Sequence, residues 1–251
     1  MFEINSHVVE ALSESYHIDA QDQPELSPDV VIATDATTRQ KVVVKFHDTA
    51  ASSDEETNRF RHEISALTKL EHPHIVPVLE SRTNQRVIYY VMPLIAGHSL
   101  FTRLRKDSRI SVQQVALILR QVADALGHVH KKRIVHGDIQ VGNVVMTGHH
   151  ATIIDFGLAR PLHERSDAWF DIKSLGEMGY DILTGQSPYG GENQTCTRTT
   201  AVTSTPIHIS RLRPDLPRGL ADLIMRTLDR DSRWNSATEV AAALERYAKR
   251  N

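Results

Sequence analysis

The chain has 251 residues, 40% hydrophobic and 24% charged, a balance that suits one globular unit or two lobes with a shared core and excludes a disordered chain. Its formal net charge of −2 gives no electrostatic reason to expect a nucleic-acid or membrane partner. Cys196 is the one cysteine, which excludes an internal disulfide and fits a reducing compartment. Met1-Phe2-Glu3-Ile4-Asn5-Ser6-His7 lacks the basic start and apolar run of a signal peptide. The longest near-apolar stretch, 87–96, is too short to cross a bilayer as a helix, so a cytoplasmic protein without membrane insertion is expected.

Along the chain, strand signals come first. Val30-Val31-Ile32-Ala33 and Lys41-Val42-Val43-Val44-Lys45-Phe46 are β-branched runs joined by the polar segment 34–40. Residues 54–70 then have helical periodicity, with Phe60, Ile64, Leu67 and Leu70 on one face, and Pro73 ends the segment. Val76-Pro77-Val78-Leu79 and Val87-Ile88-Tyr89-Tyr90-Val91-Met92 suggest two more strands, and a hinge is expected near 95–98. The remainder is mostly helical. Residues 111–132 form a long amphipathic segment with Ser111 as its N-cap. Residues 169–183 are apolar enough to predict a buried helix, 190–205 a loop, and 216–229 and 236–248 closing helices.

The chemistry concentrates in His136-Gly137-Asp138-Ile139-Gln140-Val141-Gly142-Asn143 and, twelve residues after Asn143, Asp155-Phe156-Gly157. A loop carboxylate can take the proton of an attacking hydroxyl, and an Asn with a second Asp can hold magnesium bridging nucleotide phosphates. The apolar stretches around Thr147-Gly148-His149-His150 predict a hairpin that brings the two motifs together. Lys45, at the end of a strand, can be aimed rigidly at phosphate if a carboxylate orients it, and Glu63 on the predicted helix is the candidate. Either residue alone reads as a surface charge. Their order with Asp138, Asn143 and Asp155 favours a site.

These residues resemble the eukaryotic-like Ser/Thr protein kinases, over about residues 16–244. Val42-Val43-Val44-Lys45 resembles the ATP-lysine strand, Phe60-Arg61-His62-Glu63-Ile64 the C-helix, and Tyr90-Val91-Met92-Pro93-Leu94 the hinge with Met92 as gatekeeper. Ile134-Val135-His136-Gly137-Asp138 resembles the catalytic loop, Asp171-Ile172-Lys173-Ser174-Leu175-Gly176 the buried F helix, and Asp229-Arg230-Asp231-Ser232-Arg233 a late structural motif. The resemblance implies an α+β, bilobal kinase-like domain: an N-lobe (1–95) with a small antiparallel sheet and one helix, and a larger, mainly helical C-lobe (96–251). It implies ATP and Mg2+ as cofactors. Asp138 would be the base, with Gln140 beside it, Lys45 and Glu63 would serve the phosphates, and Asn143 and Asp155 would ligate magnesium. Val30, Val43, Met92, Leu94 and Val145 would meet the nucleotide. Asp171 would accept backbone hydrogen bonds from the catalytic loop, and His136, Phe156 and Leu67 would form an apolar column.

The chain departs from that family in four places. Gln23, Glu25 and Pro28 stand at the glycine-loop positions, so backbone N–H groups for phosphate are reduced. Gln140 replaces the catalytic-loop lysine, removing a charge that would face the transferring phosphate. Gly137 replaces the arginine that pairs with a phosphorylated activation loop, which argues against that switch. Residues 158–170 form a short activation segment without Ala-Pro-Glu, and Glu164 is the candidate to pair with Arg233 in place of the missing Glu. At Val43, two methyl groups more than the usual alanine either crowd the nucleotide or are absorbed by the core.

Three functions therefore stay open. The first is an atypical protein Ser/Thr kinase with a protein substrate or regulatory partner. The second is a pseudokinase scaffold, and the third a small-molecule kinase, since His-Gly-Asp also occurs there. The oligomeric state is not indicated. The 14 histidines, including His72 with His74 and His128 with His130, lack the spacing of a zinc site. The basic patches at 103–106 and 131–133 fit solvated helix ends, and the Thr-rich 195–205 fits a solvated loop better than an autophosphorylation site.

Overall fold

The structure, a computed structural model, describes residues 6–18, 28–84, 86–106, 110–189, 205–229, 231 and 234–249. The chain divides into two compact units. One holds residues 1–72, 76–96 and 156–158, and the other 73–75, 97–155 and 159–251.

The first unit is built on an antiparallel five-stranded sheet in the order β1-β2-β3-β5-β4. Its strands are β1 (Tyr16–Ile18), β2 (Val30–Asp35), β3 (Lys41–Asp48), β4 (Glu80–Thr83) and β5 (Val87–Pro93). Side chains alternate across a strand, so β3 has two different faces. Val42, Val44 and Phe46 join Val87, Tyr89 and Val91 in one buried cluster. Val43, Lys45 and His47 stand on the opposite face, opposite Met92, Tyr90 and Ile88 of β5 in register.

The buried cluster is capped by a helix that the sequence reading lacks. The N-terminal helix α1 (Ser6–Leu12) places Val8 and Leu12, one turn apart, at 0% exposure in that cluster. Burying each such side chain contributes about 1.5–3 kcal/mol. Among the described residues this unit thus has two helices, α1 and α2, against the one that the resemblance implies. The second, α2 (Asp54–Leu67), starts on a capping box: Glu56 N–H donates to Ser53 Oγ, and Ser53 N–H donates to Glu56 Oε2. It stops three residues before the expected Leu70, because Thr68 Oγ1 donates to Ile64 O and the Lys69 and Leu70 amides close tighter turns. Residues 76–79 are not the expected strand. Pro77 has no N–H for a ladder, and apart from the Leu79 amide donating to Val91 O, the paired register with β5 begins at Glu80.

The second unit is mainly helical. Its helices are α3 (Leu100–Lys106), α4 (Val112–Lys131), α5 (Arg165–Thr184), α6 (Arg218–Leu228) and α7 (Ala237–Ala248). Ser111 caps α4 as expected, accepting from the Gln114 amide, and Ser236 caps α7 through the Glu239 amide. The apolar 169–183 segment is the buried core of α5, with Ile172, Leu175 and Met178 nearly inaccessible. A Cβ at Gly176 would stand 1.8 Å from Thr227 Oγ1, so glycine is what lets α5 approach α6. The short α3 escapes the sequence reading because only Leu100 of it is fully buried.

Two small sheets complete this unit. β6 (His98–Ser99), β8 (Val144–Thr147) and β9 (His150–Ile153) form one, and β7 (Ile134–Val135) pairs with β10 (Arg160–Pro161) in the other. The β8–β9 pair is the expected hairpin, with Gly148 at φ 61° in its turn. Among the described residues no helix is long and apolar enough to cross a membrane.

Candidate active site

In the first unit, strand register does the positioning. Lys45 and Tyr90 are directly opposed on β3 and β5, so both project to the face that α2 covers. Lys45 Nζ donates to Glu63 Oε1 at 2.8 Å, and Tyr90 Oη donates to the same oxygen at 2.8 Å. Glu63 is only 3% exposed, so these donors support a carboxylate removed from water. The Lys45–Glu63 pair is the expected one, and Tyr90 is an addition that local pattern does not give. Alternation puts Tyr90 on the lysine face once β3 is paired with β5 in this register.

Of the expected nucleotide contacts, Val30, Val43 and Met92 share the Lys45 face by register: Val30 opposes Lys45, and Val43 opposes Met92. Leu94 follows β5, exposed, with its amide donating to Lys41 O. Val145 belongs to the second unit, in β8 opposite Thr152 and Ser99. Pro28 is described as an exposed turn residue, whereas Gln23 and Glu25 lie outside the described residues.

In the second unit, the loop after β7 carries Asp138. Asp138 Oδ2 accepts from Gln140 Nε2 at 2.9 Å and from Asn143 Nδ2 at 2.8 Å. Asn143 Nδ2 also donates to Asp138 O at 2.9 Å. Both Asn143 N–H groups are thus directed at Asp138, and its Oδ1 is the side-chain atom chemically able to ligate a cation. The single turn of 3-10 helix, Val141–Asn143, sets this geometry. The Ile154 amide donates to Asn143 O at 3.1 Å, so the β8–β9 hairpin brings Asn143 and the Ile154-Asp155 step to its same end.

Asp171, on α5, holds the loop from below. Oδ2 accepts the His136 amide at 2.9 Å and His130 Nε2 at 2.8 Å, and Oδ1 accepts the Gly137 amide at 2.8 Å. The backbone bonds are those the resemblance implies; His130, for which the sequence alone suggests no role, adds the third donor. Burial opposes ionisation of Asp171, but the His130 bond, the His136 and His130 rings and the Gly137 amide outweigh it and hold its pKa below the usual carboxylate value. Gly137 sits at φ 83°, a region costly by about 1–3 kcal/mol for other residues, so this loop conformation favours glycine over arginine at this position.

His136 is fully buried, and burial pushes its pKa down against the opposing charges of Asp171, Asp155 and Asp138. A neutral ring also explains its contact: the Asp138 amide donates to Nδ1 at 3.1 Å, which an imidazolium could not accept. Phe156 and Leu67 are buried too, at 0% and 1% exposure.

The activation segment is as short as the sequence implies. β10 follows the Asp155-Phe156-Gly157 motif almost at once, and α5 begins at Arg165. Glu164 is not seen with its suggested partner: Arg233 lies outside the described residues, as do Arg230, Ser232, Cys196 and the 195–204 part of the Thr-rich segment. Instead the Glu164 and His163 amides donate to Asp167 Oδ2, and Ser166 Oγ donates to Glu164 Oε2, so this turn starts α5.

Among the described residues no group of three or more His, Cys, Asp or Glu could hold a metal by itself. Asn143 and Asp155 suit a magnesium ion that takes its remaining ligands from phosphate and water.

Residues 27–170 match the model of the protein kinase domain. The serine/threonine-protein kinase PknA of Mycobacterium tuberculosis is 30% identical, over 78% of this chain and 52% of its own length. PkaB of Streptomyces coelicolor is 28% identical over 71% of this chain and 50% of its own, and PknB of Mycolicibacterium smegmatis 28% over 75% and 35%. The chain spans about half or less of these relatives' lengths.

Proposed function

Because the chain belongs to the protein kinase family, we propose that it transfers the γ-phosphoryl group of Mg-ATP to serine or threonine hydroxyls of a protein acceptor. The observation that carries this reading is the Asp138 carboxylate oriented by Gln140 and Asn143, in a chain that also keeps Lys45, Glu63 and Asp155. The names of the relatives, all serine/threonine-protein kinases, support it. A cytoplasmic setting, where ATP is at hand, belongs to the same proposal.

When bound, Mg-ATP supplies the phosphoryl group and part of the charge neutralisation. The protein's residues supply the rest. Asp138 accepts the proton of the attacking hydroxyl, and its carboxylate is held in one orientation for that step. Lys45, braced by Glu63, binds phosphate oxygen. Asn143 Oδ1 and the Asp155 carboxylate hold the cation. Val30, Val43 and Met92 offer an apolar face to the base, with Leu94 and Val145 as further contacts.

Gln140 touches Asp138 as a lysine would, but without charge. Gln140→Lys is expected to raise the initial rate of labelled-phosphate transfer about tenfold, by adding a cation where charge develops. An unchanged rate would remove Gln140 from the proposed machinery.

The short turn from β10 into α5 favours a second reading, a scaffold that binds nucleotide or protein without turnover, since little chain is left to dock an acceptor. Mg-ATP that raises the melting temperature without any transfer to a panel of protein acceptors would select it.

A further inference from the structure

The Lys45–Glu63 pair is assembled entirely within the first unit, and Tyr90 is part of it. Tyr90 is 0% exposed, its ring lies 5.7 Å from that of Phe60 on α2, and its hydroxyl reaches Glu63 Oε1 at 2.8 Å. Phe60 in turn stacks on His47 of β3 at 5.4 Å, and His47 Nε2 meets Thr57 Oγ1 of α2 at 3.0 Å. Helix α2 is therefore tied to the lysine face of the sheet at Thr57, Phe60 and Glu63, which are successive turns of its buried side.

We propose that Tyr90 is a positioning residue: its phenol holds the Glu63 carboxylate at the place where it orients Lys45, so the fold of this unit assembles the pair without an activating phosphorylation. This rests on the phosphotransfer reading. The physical reason is directional. A long glutamate has several rotamers, and a single salt bridge to a flexible lysine selects among them weakly. A second donor from a rigid, buried aromatic ring fixes the carboxylate before Lys45 and nucleotide meet it. The arrangement also fits Gly137, which leaves no arginine at this position to read a phosphorylated loop.

The test is Tyr90→Phe, which keeps the ring and removes only the hydroxyl. Its dissociation constant for Mg-ATP is expected to rise about tenfold, as for loss of one charge-assisted hydrogen bond, while the KM for the protein acceptor is unchanged. In a Glu63→Met background, which removes the carboxylate that the phenol meets, the same change should have less than about a twofold effect. A purely structural role would lower the maximal rate through the folded fraction and leave nucleotide affinity unaltered. That result, or an equal affinity change in both backgrounds, overturns the proposal. The cycle is repeated by urea unfolding without nucleotide. There the midpoint shift caused by Tyr90→Phe should vanish beside Glu63→Met, and an undiminished shift overturns the link. A native chain that binds no Mg-ATP would defeat the phosphotransfer reading, and the unfolding cycle would still decide whether Tyr90 acts through Glu63.

Discussion

Asp138→Asn is expected to lower kcat for phosphate transfer by about 10²–10⁴-fold, the usual worth of a general base, while the Mg-ATP dissociation constant changes less than about threefold. The side chains have the same shape. The asparagine amide oxygen can still accept from Gln140 Nε2 and Asn143 Nδ2, so the 3-10 turn and the hairpin end keep their positions. What disappears is an oxygen basic enough to take the hydroxyl proton. Initial rates at saturating Mg-ATP, with calorimetric titration of the same preparations, separate the two effects. Equal losses of rate and affinity would mean that Asp138 is a structural support of the loop.

The second large effect is on stability. Asp171→Asn should destabilise the chain by about 3 kcal/mol, since hydrogen bonds to a buried charge are the strong ones and an amide can satisfy only part of the present donor set. The His136 amide, the Gly137 amide and His130 Nε2 all converge on this carboxylate. The pH dependence has a definite sign. Asp171's folded pKa lies below its ordinary value, so the unfolded chain takes up the proton first on acidification. The associated stability is complete above about pH 4, the unfolded carboxylate range, and is lost as pH falls through the lower folded value. Urea midpoints measured from pH 7 downward should therefore fall more steeply below about pH 4 in the native chain than in Asp171→Asn. Parallel curves would show that the carboxylate charge is not what anchors the loop.

Much of this was legible in local pattern. The β-branched run ending at Lys45 gives β3, and Ser111 gives the start of α4. The apolar flanks of Thr147-Gly148 give the hairpin that sets Asn143 and the residues before Asp155 at one end. What escaped was of two kinds. Helix α1 rests on just Val8 and Leu12, too short a periodicity to separate from a loop, and its stability comes from the sheet beneath it. The run at 76–79 looks apolar enough for a strand, but only Val76 is buried, Leu79 is exposed, and Pro77 has no N–H to give a ladder. Tyr90 and His130 were missed for another reason. Each acts through a partner distant in sequence, Glu63 and Asp171, and such contacts follow only once strand register or helix docking is known. The α+β class and the Lys45–Glu63 pair needed only order and spacing, whereas the bracing of that pair needed coordinates.

The most direct measurement is the initial rate of phosphate transfer from γ-labelled ATP to a serine- and threonine-rich acceptor, with and without magnesium, for the native chain, Lys45→Met and Asp155→Asn. Magnesium-dependent transfer by the native chain, reduced at least about a hundredfold by either substitution, is the predicted result. Absence of transfer by the native chain at millimolar Mg-ATP, or transfer that survives both substitutions, would contradict it.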